Sequence, residues 1–226
     1  MKKWDEIPVF MNNEQVKYYY NILKKKERQI RIKRIFDSVM AVSLIIVLLP
    51  IMIAISVAIK MDSSGPVIFK QVRITTYGRK FHIYKFRTMV AGADKIGSKV
   101  TVQGDSRITK TGEFLRKYRL DEIPQLFNVL IGDMSFVGTR PEVEKYVHQY
   151  NDEMKATLLM PAGITSLASI KYKDEDQLLQ NAENADEEYI KVVLPEKMKY
   201  NLKALEEFNI FSDLKTMIAT VFAVVR

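Results

Sequence analysis

Between Ser38 and Ile59 the chain reads SVMAVSLIIVLLPIMIAISVAI, 22 residues without a charge. At about 1.5 Å per residue a helix of that length spans the apolar core of a bilayer, so the run predicts a membrane helix. Two features bear on how it sits. Pro50 lies mid-run and has no N–H, so the carbonyl of Ile46 loses its helical partner and the helix should bend there. Both flanks are basic, with Lys24, Lys25, Lys26, Arg28, Arg31, Lys33 and Arg34 before the run and Lys60, Lys70, Arg73, Arg79 and Lys80 after it. A crossing helix normally shows a Lys/Arg asymmetry. Together these predict a re-entrant helix hairpin that enters and leaves on one face, against the alternative of a kinked crossing helix. A cleavable signal peptide fits poorly, because the run starts late and behind a long basic stretch.

The sequence has no cysteine and two histidines, which excludes disulfide scaffolds, thiol nucleophiles and Cys/His zinc sites. Any metal must be held by oxygen. The net charge of +8 is unevenly placed: residues 1–36 hold ten Lys/Arg against four acids, and residues 60–120 hold fourteen against four. Such zones suit lipid head groups, nucleic acid or phosphorylated substrates, and the neighbouring apolar run argues against nucleic acid.

Residues 66–88 alternate apolar and polar positions around Tyr77-Gly78 and predict two short strands joined by a turn. Gly112 to Leu120 predicts a helix with Phe114, Leu115 and Tyr118 on one side, suited equally to a membrane interface or to a core. Asp174 to Glu188 reads as an acidic, solvated face. From Ser212-Asp213, the residues Phe211, Leu214, Ile218, Val221, Phe222 and Val225 recur at helical spacing, and a core helix is the slightly better reading of them.

The most informative stretch is LRKYRLDEIPQLFNVL, residues 115–130. Leu120, Ile123, Leu126, Phe127 and Leu130 follow a helical period, and Pro124 is acceptable only in a first turn. Asp121 and Glu122 therefore fall at a helix N-terminus, where free N–H groups and the helix dipole favour ionised acids and attract phosphate. An ionised Asp can attack phosphorus, and a second carboxylate beside it can hold Mg²⁺. An N-terminal Asp is more often only a cap. Phosphate also needs cations, and Lys85, Arg87, Arg116 and Arg140 stand in otherwise apolar surroundings.

These segments resemble a known family. KRIFDSVMA (33–41), the proline-broken run, SGPVIFKQVR (64–73), FHIYKFRTM (81–89), DSRITKTGEFLRKYRLDEIPQLFNVLIGDMSFVG (105–138), TRPE (139–142) and PAGIT (161–165) are similar, in order, to the bacterial sugar transferases, monotopic phosphoglycosyl transferases of glycan assembly. The resemblance implies that Asp121 is the nucleophile on a UDP-sugar, that Glu122 is a Mg²⁺ ligand, and that Lys85, Arg116 and Arg140 contact phosphate or nucleotide. Arg73 and Arg87 are added from the local pattern. It further implies a polyprenyl acceptor, undecaprenyl phosphate, and a position on the cytoplasmic face of a bacterial plasma membrane. A second copy of the chain is a further candidate partner. The family pattern is departed from at Thr75, at Thr139 and at Met160-Pro161-Ala162-Gly163, which touches nucleotide and sugar contacts rather than the dyad.

The expected fold is α+β and mostly helical, with a small β-hairpin and interfacial helices. Its expected division is a basic extension (1–32), a re-entrant membrane helix (33–60) and a cytoplasmic catalytic domain (61–226). The competing reading is a membrane-bound scaffold that uses its basic zones for lipid only. Asp94 to Gly104 and Lys171 to Asn184 are the expected specificity loops, and the sugar itself is not legible.

Overall fold

The computed structural model describes residues 1–93, 105–173 and 184–225; the expected specificity loop 94–104 and most of the second, 174–183, lie outside them. The apolar run is part of one helix, α2 (Glu27–Asp62), of 36 residues with Pro50 inside. No turn separates two helices within 33–60. Proline removes one N–H and leaves the other helical bonds in place, so a change of direction must come from a bend at Pro50.

A shorter helix, α1 (Glu14–Lys25), precedes it, capped where Asn13 Oδ1 accepts from the Val16 N–H at 2.9 Å. The residues set apart as a basic extension are built into the largest core. Met11, Val16, Tyr19, Tyr20 and Leu23 pack there with Met154, Leu158 and Leu159, and with Leu194, Met198 and Leu202. The apolar residues of this basic extension, at helical spacing, supply the face that packs there.

β1 (Ile68–Ile74) and β2 (Lys80–Phe86) form the expected antiparallel hairpin, in register Ile68↔Phe86 through Ile74↔Lys80, around a turn with Tyr77 and Gly78 at φ 58° and 77°. Then come α3 (Lys110–Lys117), a 3-10 turn (Leu120–Glu122), α4 (Gln125–Ile131), β3 (Met134–Val137) and α5 (Glu144–Val147). β4 (Ala162–Thr165) pairs parallel with β3. Among the described residues there follow α6 (Leu167–Lys171), α7 (Ala185–Glu188), α8 (Leu194–Glu206), with a π-helical turn Tyr189–Val193 before it, and α9 (Ile210–Val225). The result is a mostly helical α+β protein with two small sheets and one long apolar helix.

Two smaller cores hold α2 against β2, α3 and α4. Ala41 of α2 packs with Phe81, Ile83, Leu126, Val129 and Phe136, while Met52, Ile55 and Ile59 pack with Phe86 and Leu115; Ile123 touches both groups. α2 is tied at both ends. Arg34 donates to the carbonyls of Val129 and Leu130 at the end of α4, at 2.5 and 2.8 Å, and Asp62 accepts from the Thr111 N–H of α3 at 2.8 Å. The residues between leave a broad outward apolar face, with Val39, Ile46 and Val47 more than 60% exposed.

Two helical stripes sit otherwise than expected. In α3, Leu115 enters the core and Phe114 and Tyr118 face outward, their ring centroids 5.0 Å apart. α9 turns its apolar stripe away from the protein, with Phe211 83% and Phe222 65% exposed, and docks through polar contacts instead. Lys33 meets Asp213 at 2.6 Å, and Thr220 meets Thr165 at 2.7 Å. Periodicity defines a face but not which side meets the protein, so the core reading of this helix is corrected.

α3 approaches the segment after β2 closely because Gly112 has no side chain: a Cβ there would stand 2.0 Å from the Thr88 carbonyl oxygen. Gly112→Ala is expected to push α3 off that segment and cost about 1–3 kcal/mol, read as a lower Tm in thermal unfolding. An unchanged Tm would show that the approach is not needed.

Candidate active site

Strand alternation puts Lys85 on the same face of β2 as the buried Phe81 and Ile83, so its ammonium is carried inward rather than into solvent. α4 is fastened to this strand by Asn128, fully buried, whose Oδ1 accepts from the Tyr84 N–H at 3.0 Å and whose Nδ2 donates to the His82 carbonyl at 2.7 Å. Arg119, in the left-handed region at φ 56°, turns the chain between α3 and the 3-10 turn. A non-glycine residue held there stores strain, which clusters at functional sites.

That turn points Asp121 and Glu122 at Lys85. Glu122 Oε1 lies 3.0 Å from Lys85 Nζ, 2.9 Å from Arg140 Nη2 and 3.8 Å from Arg119 Nη1. Asp121 Oδ2 is 4.0 Å from Lys85 Nζ, and its carboxylate has no hydrogen-bond partner among the described residues. Several of the N–H groups expected to be free at the dyad are bonded. The N–H groups of Glu122, Ile123, Leu126 and Phe127 all bond carbonyls three residues back. The 3-10 turn consumes them, so side-chain cations supply the positive field.

The two acids feel opposite environments. Burial is the largest influence on Asp121 and raises its pKa, Lys85 opposing and the neighbouring Glu122 adding to the rise. Burial would raise Glu122 as well, but Arg140, Lys85 and Arg119 outweigh it and hold that carboxyl well below its ordinary value. Lys85 is lowered, chiefly by burial.

Of the five cations named from the sequence, the fold brings Lys85 and Arg140 onto the dyad. Arg116 points its Nε at Thr88 Oγ1, 3.0 Å away, and acts on Asp121 through its charge. Arg73 lies under the Arg140 loop. It bonds Gln71 Oε1 and the Pro141 carbonyl, and stands 3.9 Å from Glu142. Arg87 turns away altogether, donating to Ser63 and Ser64 in the connection after α2 at 2.7 to 2.9 Å. An arginine at the end of a strand satisfies the nearest bare carbonyls, which here belong to that connection. Arg87→Lys should lower Tm while leaving the KM for substrate unchanged; a raised KM at normal stability would return Arg87 to the substrate.

Three residues escaped the sequence reading. Arg119 was visible only as a helix-face charge, and Asn128 as one polar residue in an apolar helix. Glu142 is buried and accepts from Tyr189 Oη at 2.5 Å, with Lys197 Nζ 4.0 Å away, and so pins the loop that carries Arg140. Gly138 and Gly163 bring this loop against β4, since a Cβ on Gly163 would stand 2.2 Å from Gly138 N. Thr75, Thr139 and Met160, the three departures from the family pattern, line one small cavity beside Arg140 and Glu142.

The site does not fit a ready-made Mg²⁺ site. Glu122, the expected ligand, has three cations on one oxygen, and no group of three or more acids or histidines that could hold a metal occurs among the described residues. What the arrangement offers is one carboxylate without a hydrogen-bond partner beside cations that suit phosphate.

Curated relatives agree with the motifs. The chain is 35% identical over 196 residues to the UDP-glucose:undecaprenyl-phosphate glucose-1-phosphate transferase of Escherichia coli (strain K12), covering 84% of this chain and 39% of that protein. It is 35% identical over 193 residues to the UDP-N-acetylgalactosamine-undecaprenyl-phosphate N-acetylgalactosaminephosphotransferase of Aeromonas hydrophila, covering 84% and 43%. The sugar transferase EpsL of Bacillus subtilis (strain 168) is 33% identical over 190 residues, covering 84% and 85%. The chain thus spans about two fifths of the length of the first two. A model of the bacterial sugar transferase family matches residues 28–226, so the chain belongs to that family.

Proposed function

We propose that this chain moves a sugar phosphate from a UDP-sugar to a polyprenyl phosphate, as the names of its relatives describe for those proteins. The observation that carries the reading is the unequal dyad: Asp121 with only Lys85 at 4.0 Å and no hydrogen bond among the described residues, Glu122 held by Lys85, Arg140 and Arg119. Asp121 Oδ attacks the β-phosphorus, the bond from that phosphorus to the bridging oxygen breaks, and UMP leaves with the electron pair. An oxygen of polyprenyl phosphate then attacks the same phosphorus, and Asp121 departs as carboxylate. Lys85 and Arg140 orient the diphosphate and offset its charge, and Glu122 holds both in place.

Incubation with a panel of UDP-sugars tests this. UMP release with a phosphosugar adduct on Asp121 is the expected result. Silence across the panel would favour the scaffold instead. At equal identity the two longer relatives are named for different sugars, so the sugar is a matter for the panel.

α2 is read as entering and leaving a membrane on one face, the cytoplasmic one. Supporting this, its buried residues from Ala41 to Ile59 lie along the protein body, and both Arg34 and Asp62 bond polar elements of that body. A crossing helix would separate those ends by a bilayer. Tags at both termini should be reached from the cytoplasm only; labelling of either from outside would overturn the topology.

A further inference from the structure

The dyad carries more positive than negative charge before any ligand arrives. Lys85, Arg140 and Arg119 all lie within 4 Å of the single oxygen Glu122 Oε1, against two carboxylates. A divalent cation coming alone to Glu122 would have to share or displace three cations already there, at close range and out of bulk water. A diphosphate meets the opposite situation: its oxygens can take over Lys85 and Arg140, which releases Glu122 and supplies anionic oxygens for a metal.

We propose that the free dyad is an anion site, and that it takes a divalent cation only together with a nucleoside diphosphate. This rests on the reading of the dyad as the site for a UDP-sugar. The metal is then a companion of the substrate, and Lys85 and Arg140 keep its place on Glu122 until the diphosphate draws them off. Linkage makes the effect mutual, so the metal and the diphosphate strengthen each other's binding by one factor.

The test uses the full chain in phosphatidylcholine nanodiscs, Mn²⁺ as the metal, and α,β-methylene-UDP, whose bridge cannot be cleaved. Free Mn²⁺ is read by its paramagnetic resonance signal. Without the analogue, protein should remove no more Mn²⁺ than empty nanodiscs do. With it, Mn²⁺ should bind more than about tenfold tighter than to the analogue in solution, and Mn²⁺ should tighten the analogue by an equal factor. Arg140→Ala and, independently, Lys85→Met should move the two affinities oppositely, with Mn²⁺ now held by the free protein and the analogue held less well. A variant that merely loosened the fold would weaken both. One Mn²⁺ bound per chain with the same affinity in the presence and absence of analogue would overturn the inference and leave the proposed function standing. Failure of the analogue to bind under any condition would overturn both.

Discussion

Asp121→Asn is expected to abolish UMP release, by at least about 10³-fold, and at the same time to raise Tm at neutral pH. The two effects have one cause. Burial raises the pKa of this carboxyl in the folded chain, so native protein holds the proton at pH values where unfolded protein has lost it. The group's stabilising contribution is therefore complete below the ordinary Asp pKa and is lost as pH rises through the raised one. At pH 7 the folded protein bears the cost of a buried carboxylate without a hydrogen bond, and a neutral isostere removes it. A gain of about 1 kcal/mol corresponds to roughly 2–4 °C for a chain of this size. The gain should vanish when Tm is measured in acid below the ordinary Asp pKa. In the wild type, the acid limb of UMP release should lie above the usual Asp range. A variant that keeps activity would remove Asp121 from the nucleophile role, and one that loses stability at neutral pH would contradict the raised pKa.

Glu122→Gln is expected to do the reverse to stability. The change leaves Lys85, Arg140 and Arg119 around a neutral amide, and uncompensated cations in a largely buried site cost about 2 kcal/mol after allowing for the partial exposure of both arginines. Glu122 has a lowered native pKa, so its contribution is present above the ordinary Glu value and is lost as pH falls through the native one. The Tm gap between variant and wild type should accordingly close in acid. Activity should fall at least about 100-fold, because Lys85 and Arg140 lose the anchor that orients them. Tm shifts of the same sign in Asp121→Asn and Glu122→Gln at neutral pH would contradict the unequal dyad.

Much of the site's chemistry was legible in one dimension. Asp121, Glu122, Lys85 and Arg140 are marked by charges set in apolar surroundings and by motif order, and the fold brings them together across β2, the 3-10 turn and the loop after β3. Arg87 shows the limit. It stands two residues after Lys85 in the same segment, yet it bonds the Ser63-Ser64 connection, whose approach to this segment no local pattern records. Asn128 and Glu142 were missed for a related reason, because their roles consist of partners far along the chain, His82 and Tyr84 for the one and Tyr189 for the other.

The sequence alone determined the properties that repeat locally: the apolar length of α2, the β1–β2 hairpin with its turn, and the adjacency of the two acids. Tertiary structure alone decided which face of each helix met the protein, as the outward stripe of α9 and the split stripe of α3 show. It also decided that N–H groups around the 3-10 turn would be bonded within the chain, and that Lys85 of β2, Arg140 of the loop after β3 and Arg119 at the turn's own N-cap would surround Glu122. The division has one physical reason. Periodicity and propensity act over a few residues, whereas burial, strain and the pKa values of a dyad are set by groups that only folding brings within a few ångströms.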